Sequence, residues 1–352
     1  MGWKAGDKIS TGGSNTAIGD GAIGSDTLGQ KSVAIGSNTL NAQNFTTATA
    51  TYNTAMGWNA GAAVTTGIRN TLIGSLAGDA LTDADYNVAM GYASLSTDTL
   101  GSRSTAIGFG SLETQNFTTA TDAYNTAVGF SAGNLITTGI KNTLIGGLAG
   151  DSITSADFNT AVGYATLIDN QTGERNVAIG SFALANATVS DNVAVGASAG
   201  VDITTGINNV LIGAAAGDAL TDADENVAVG MNALGVDTLG TGSVAIGDSS
   251  LSTQNFTTAT TTYNTAVGYR AGYVVTTGTA NTLIGGLAGD ALTDADYNVA
   301  IGTDALTADT LGSNSVAVGV GALYTQNFTT ATNAYNVAVG RSAGLSVTTG
   351  IQ

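Results

Sequence analysis

A glycine recurs along this chain at a spacing that leaves few folds open. It closes a five-residue phrase: Asn or Ser, Thr or Val, Ala or Leu, then Ile, Val or Met, then Gly. The phrase glycines run from Gly19, Gly36 and Gly57 through to Gly340, with Gly2 a clipped first copy. Of the 19 steps between them, 14 are 17 residues, four are 21 and one is 16. Glycine at this frequency, among many β-branched residues, argues against helix. The steps fit neither a heptad nor an eleven-residue period, which excludes a coiled coil. The phrase itself alternates. In the stretch Asn87 to Gly91, Val88 and Met90 share one face, while Asn87, Ala89 and Gly91 share the other. A second short stretch, such as Asp79 to Thr82, follows a turn. Each unit therefore reads as strand, turn, strand, turn, and the chain as an all-β parallel β-solenoid of about twenty coils.

The coils group into larger repeats. Asn-Phe-Thr-Thr-Ala-Thr begins at Asn44, Asn116, Asn255 and Asn327, at steps of 72, 139 and 72 residues. Two steps equal three short coils and one long one. The middle step is five residues short of twice that length, and the deletion falls around Ala185 to Asp191. The chain is thus a single array over 1–352, with large repeats near 1–56, 57–128, 129–195, 196–267 and 268–339 and a partial one at 340–352. Four extra residues per long coil predict protrusions within 40–52, 112–124, 251–263 and 323–335, and none at 184–191.

Composition narrows the chemistry. With no Cys and no His, the chain has no disulfide framework, zinc finger, haem site or Ser-His nucleophile. Nine Lys and Arg against 26 Asp and Glu give net −17, so no nucleic-acid partner is expected. No apolar run reaches the roughly 18 residues of a membrane span, so no membrane insertion is expected. Glu113, Glu174 and Glu225 occupy unrelated coil positions, which leaves no acid/base pair for a glycan-cleaving enzyme. Gly146 to Gly150 lacks the Lys-Ser/Thr and the helix of a phosphate loop. No cofactor is expected. One coil buries too few apolar side chains to offset its ordering entropy. That shortage predicts oligomerisation, with the small Ala/Gly face letting neighbouring chains approach.

Ser-Val-Ala-Ile-Gly at 32–36 and 243–247, with close variants at 176–180 and 315–319, resembles the repeat of YadA-like head domains in trimeric autotransporter adhesins. It is equally similar to head-type repeats in tail fibres of bacterial viruses. The resemblance spans essentially the whole chain and implies a left-handed parallel β-roll assembled as a homotrimer. These units, at 17 and 21 residues, are longer than the familiar one. Both ends fall inside a coil: Met1 to Gly6 parallels Met56 to Gly61, and Thr348 to Gln352 parallels Thr65 to Arg69. The expectation is a segment of a longer extracellular fibre joined to adjoining segments. Its role is a non-enzymatic shaft that displays a receptor-binding part. The alternative is an adhesin head that itself meets a cell-surface receptor or glycan.

Three recurring features have bland readings. Acidic clusters such as Asp79, Asp83 and Asp85 read as solvated turns rather than calcium sites, because Ser155 replaces Asp in one copy. Thr-Thr-Gly triplets at Thr65, Thr137, Thr204, Thr276 and Thr348 recur once per four coils, too sparsely for an ice-binding array. Asn-Phe-Thr matches a glycosylation sequon but reads as loop.

One coil position stands out. The residue before each phrase reads Tyr52, Arg69, Tyr86, Arg103, Tyr124, Lys141, Phe158, Arg175. Stacked at about 4.8 Å per coil, each cation would face an aromatic ring within cation–π reach. The expectation is a structural ladder, with a sugar-binding strip as its rival. Beyond Arg175 the pattern lapses at Asp191, Asn208, Glu225 and Gly242.

Overall fold

A computed structural model describes residues 2–351. It falls into two compact units, Met1–Asn176 and Val177–Gln352. Each unit is a parallel β-solenoid, and no helix occurs among the described residues. In the first, nine phrase strands from Thr16–Ile18 to Thr160–Val162 stack in parallel. In the second there are ten, from Val177–Ile179 to Val337–Val339. Register follows the phrase without slippage, as in Thr71↔Val88, Leu72↔Ala89 and Ile73↔Met90. The clipped phrase at Gly2 forms no strand, and its Met1 lies outside the described residues.

The expected second strand per coil is absent from most coils. Asp79 to Thr82 is a turn whose backbone still bonds from coil to coil, Thr65 N–H to the Thr82 carbonyl at 2.9 Å. Two-residue second strands occur only beside the long coils, as in Gly101–Ser102 with Thr121–Asp122.

Close coil contact explains the recurring glycine. Gly91 sits at φ 141, and a Cβ there would lie 2.3 Å from the Gly108 carbonyl oxygen. No side chain fits such a gap, so almost every coil must repeat the residue.

The interior reverses one expectation. The small face is not a contact surface for other chains but the core of the roll itself: Ala34, Ala89, Ala106 and Ala127 are fully buried. The bulky residues point out, with Met56, Met90 and Ile145 each 37–43 % exposed. A roll this narrow admits one methyl per coil where a Leu fills the adjoining turn, as Leu95 and Leu112 do. Where the strand carries Leu, the turns lose their side chains. Leu72 packs between Gly61 and Gly78, and a Cβ on either would come within 2.6 or 2.8 Å of it.

A column of buried asparagines runs beside this core. Asn53 Nδ2 donates to the Gly67 carbonyl at 2.8 Å, and its Oδ1 accepts the Asn70 N–H at 2.9 Å. Asn70 repeats the pattern with Ala84 and Asn87. Where the phrase begins with Asn, that residue therefore closes its coil and ties it to the next.

Candidate surface sites and the buried anchor of the long coils

The eight residues of the alternating series lie on one line of the first unit. All have left-handed backbone, with φ between 53 and 63. Side chains rarely adopt this region. The bulky residues here are exposed, so core packing does not compensate them.

The line begins one coil earlier than expected, at Lys31. Its Nζ lies 4.9 Å from the Tyr52 ring centre and donates to the Tyr52 hydroxyl at 3.0 Å. That hydrogen bond and the ammonium charge hold the Tyr52 phenol below its ordinary value. Arg69 and Arg103 flank Tyr86 at 5.1 and 4.9 Å, and Arg69 also donates to the Tyr86 hydroxyl. Arg103 reaches Tyr124 at 5.7 Å and pairs with Asp122 at 2.8 Å. Hydrogen bonding to Asp122 raises the Arg103 guanidinium above its usual range. Lys141 stands 4.8 Å from Phe158. Arg175 pairs with Glu174 at 2.7 Å. Cations and rings thus meet at Lys31–Tyr52, Arg69–Tyr86–Arg103–Tyr124 and Lys141–Phe158. Arg69 is not over Tyr52, nor Lys141 over Tyr124.

A second aromatic line escaped sequence reading. Tyr92, Phe109 and Phe130, each just after a phrase glycine, stack at 5.3 and 5.4 Å between ring centres and are half exposed. Their common place in the coil was the available signal.

The threonines are better matched than their triplets suggest. Thr65 Oγ1 donates to the Thr82 carbonyl and Thr82 Oγ1 to the Thr99 carbonyl, at 3.2 and 3.0 Å. Hydroxyls therefore recur on successive coils at this position although the triplets recur once in four, and these hydroxyls donate to the backbone. The acidic turns act similarly: Asp83 accepts from Thr66 at 2.6 Å and Asp85 from the Ile68 N–H at 2.7 Å. Among the described residues no three acidic side chains form a group able to hold a metal ion.

The long coils are built on a buried carboxylate. Asp98 is fully buried and accepts the Gly101 and Phe117 N–H groups at 3.0 and 3.1 Å. Gln115 Nε2 donates to its other oxygen at 2.6 Å, and Gln115 Oε1 accepts from Asn125 at 2.8 Å. Ser104 replaces the usual column asparagine and leaves room for Gln115. The set recurs as Asp26, Ser32, Gln43; Asp237, Ser243, Gln254; and Asp309, Ser315, Gln326. Burial pushes the Asp98 carboxyl above its ordinary value.

On this anchor the phenylalanine tucks inward, with Phe117 only 6 % exposed. Thr118, Thr119 and Ala120 protrude, as do 46–48, 257–259 and 329–331. The 184–191 stretch has no corresponding protrusion. In that large repeat Asn170, Asn176 and Ala187 replace the Asp, Ser and Gln. Asn44, ahead of its inward Phe45, accepts from Thr27 at 3.4 Å.

No family model matches the chain, and no curated protein matches it. Among the described residues no helix is long and apolar enough to cross a membrane.

Proposed function

We propose that the chain is a structural segment of an extracellular fibre, a trimeric β-roll whose stiffness holds a receptor-binding part away from a virion or cell. The observation that carries this reading is the outward row of the phrase strands. In the first unit Met56, Met90 and Ile145 leave apolar side chains in water, and in the second Ile179, Ile212, Ile246 and Ile284 do the same. A contiguous apolar row is costly for a lone chain and is covered by association. Because the row repeats at the coil spacing, a second and third copy match it coil for coil. The number three comes from the resemblance of the phrase to YadA-like heads. A virus tail-fibre shaft is the leading identity. A bacterial adhesin head is the second reading, favoured by the exposed Tyr92–Phe109–Phe130 stack.

The test is a charge on the row. Met90→Glu with Ile145→Glu should dissociate the assembly while circular dichroism retains the β-sheet signal. An unchanged assembly would place the contact on another face.

A further inference from the structure

Part of the alternating line recurs 211 residues later, with its rings kept and its cations gone. Tyr52, Tyr86 and Tyr124 of the first unit correspond to Tyr263, Tyr297 and Tyr335 of the second, while Arg69 and Arg103 correspond to Ala280 and Asn314. The backbone is the same at both places. The Arg69 and Ala280 N–H groups each donate to a carbonyl of the preceding coil, Thr51 and Thr262, at 2.7 Å. The acid that pairs with Arg103 changes along with it: Asp122 corresponds to Asn333, and Asn314 donates to Asn333 at 2.9 Å.

The consequence is bare ring surface. Tyr263 and Tyr297 are 70 and 62 % exposed, against 49 and 40 % at Tyr52 and Tyr86. Among the described residues no cation stands over Tyr263, Tyr297 or Tyr335. Strands in register hold these tyrosines two coils apart, roughly 9.6 Å, and the small Ala280 and Asn314 leave a slot between successive rings. In the first unit the charges of Arg69 and Arg103 act on Asp85. Its counterpart Asp296 has Ala280 and Asn314 in their places.

We infer that the slots at Ala280 and Asn314 take two basic side chains of another protein, from an extended segment with Arg or Lys three residues apart. The first unit shows the occupant's chemistry, since a guanidinium stands beside the rings at the same two places. Net charge favours it: residues 177–352 hold 13 Asp and Glu against two Arg. Spacing sets the separation, because three residues of a polyproline II chain rise roughly 9.3 Å and return to one face. A second copy of this chain is a poor source. Most of its cations, Lys31, Arg69, Arg103 and Lys141 among them, are already held by its own rings.

The experiment is fluorescence anisotropy of the full chain with a fluorescein-labelled Arg-Pro-Ser-Arg-Pro-Ser peptide and its citrulline analogue. Binding of the arginine peptide alone is expected. Tyr263→Ser/Tyr297→Ser should weaken it about tenfold, whereas Tyr263→Phe/Tyr297→Phe and Tyr52→Ser/Tyr86→Ser should keep it. Ala280→Arg/Asn314→Arg rebuilds the first unit's arrangement. It should abolish binding with an unchanged circular dichroism spectrum, and it serves if the serine variant misfolds. Asp20→Asn/Asp169→Asn makes an equal change in charge at exposed sites and should leave binding intact. No binding, equal binding by the serine or the arginine-filled variant, loss in the Asp20/Asp169 control, or capture of choline but not of the peptide would overturn the inference.

Discussion

Asp98 and Gln115 meet through a 2.6 Å hydrogen bond across 17 residues, inside a region from which water is excluded. Asp98 stands on a 17-residue coil and Gln115 on the 21-residue coil that follows it. The pair marks where the roll departs from its basic unit, because Asp98 also receives the Phe117 N–H that starts the protruding loop.

Removing the carboxylate should therefore open the long coil. Asp98→Ala leaves the Gly101 and Phe117 N–H groups without an acceptor and leaves the Gln115 amide nitrogen only the Ser104 hydroxyl, at a cost of about 2–4 kcal/mol. Denaturant titration should show that loss, and hydrogen exchange should place it near Phe117. Adding Gln115→Ala should cost less than the two changes summed, since they share one network. Asn170→Asp is the converse case. Asn170 Nδ2 donates to the Gly173 carbonyl at 2.9 Å, and a carboxylate would set oxygen against oxygen there.

The phrase glycines should be irreplaceable, whereas a glycine with open space beside it should be indifferent. Gly91→Ala combines a disfavoured φ of 141 with a Cβ 2.3 Å from the Gly108 oxygen. It should cost about 3 kcal/mol or more. A methyl group added at Gly286 would meet nothing within 4 Å, and Gly286→Ala should be nearly silent. Thermal denaturation of the two variants compares them directly. Equal effects would mean that coil contact is not why the glycine recurs.

Much of this architecture was legible in the residues. The spacing of Gly74, Gly91 and Gly108 marks each coil, and the missing five residues near Ala185 to Asp191 mark the absent loop. Alternation separates Ala89 from Met90 but is symmetric, so it does not tell which face points inward. The narrow interior decides that, and it reverses the surface expected to meet other chains. The Asp98, Ser104 and Gln115 set was not legible, because its members lie 6 and 11 residues apart and join only when coils stack. Left-handed backbone at Tyr86 and Arg103 was hidden for another reason: neither residue type signals it.

Mild acid should strengthen the fold. Asp79, Asp85, Asp98, Asp151, Asp218 and Asp290 all have carboxyls raised above 3.8, chiefly by desolvation. A folded value above the unfolded one means that the native state binds the proton more tightly. Stability should rise as pH falls from neutrality through the folded values, and the gain is complete below 3.8. Urea midpoints across that window give the slope. Asp79 carries a buried Oδ1 with no hydrogen-bond partner, so Asp79→Asn should flatten the curve. Stability that instead falls steadily over the window would contradict the sign.

The mass of the assembly in solution bears most directly on the fibre reading. Sedimentation equilibrium of the purified chain should return three times its 34.6 kDa. A single species of 34.6 kDa, stable with its Met90 and Ile145 rows in water, would contradict it.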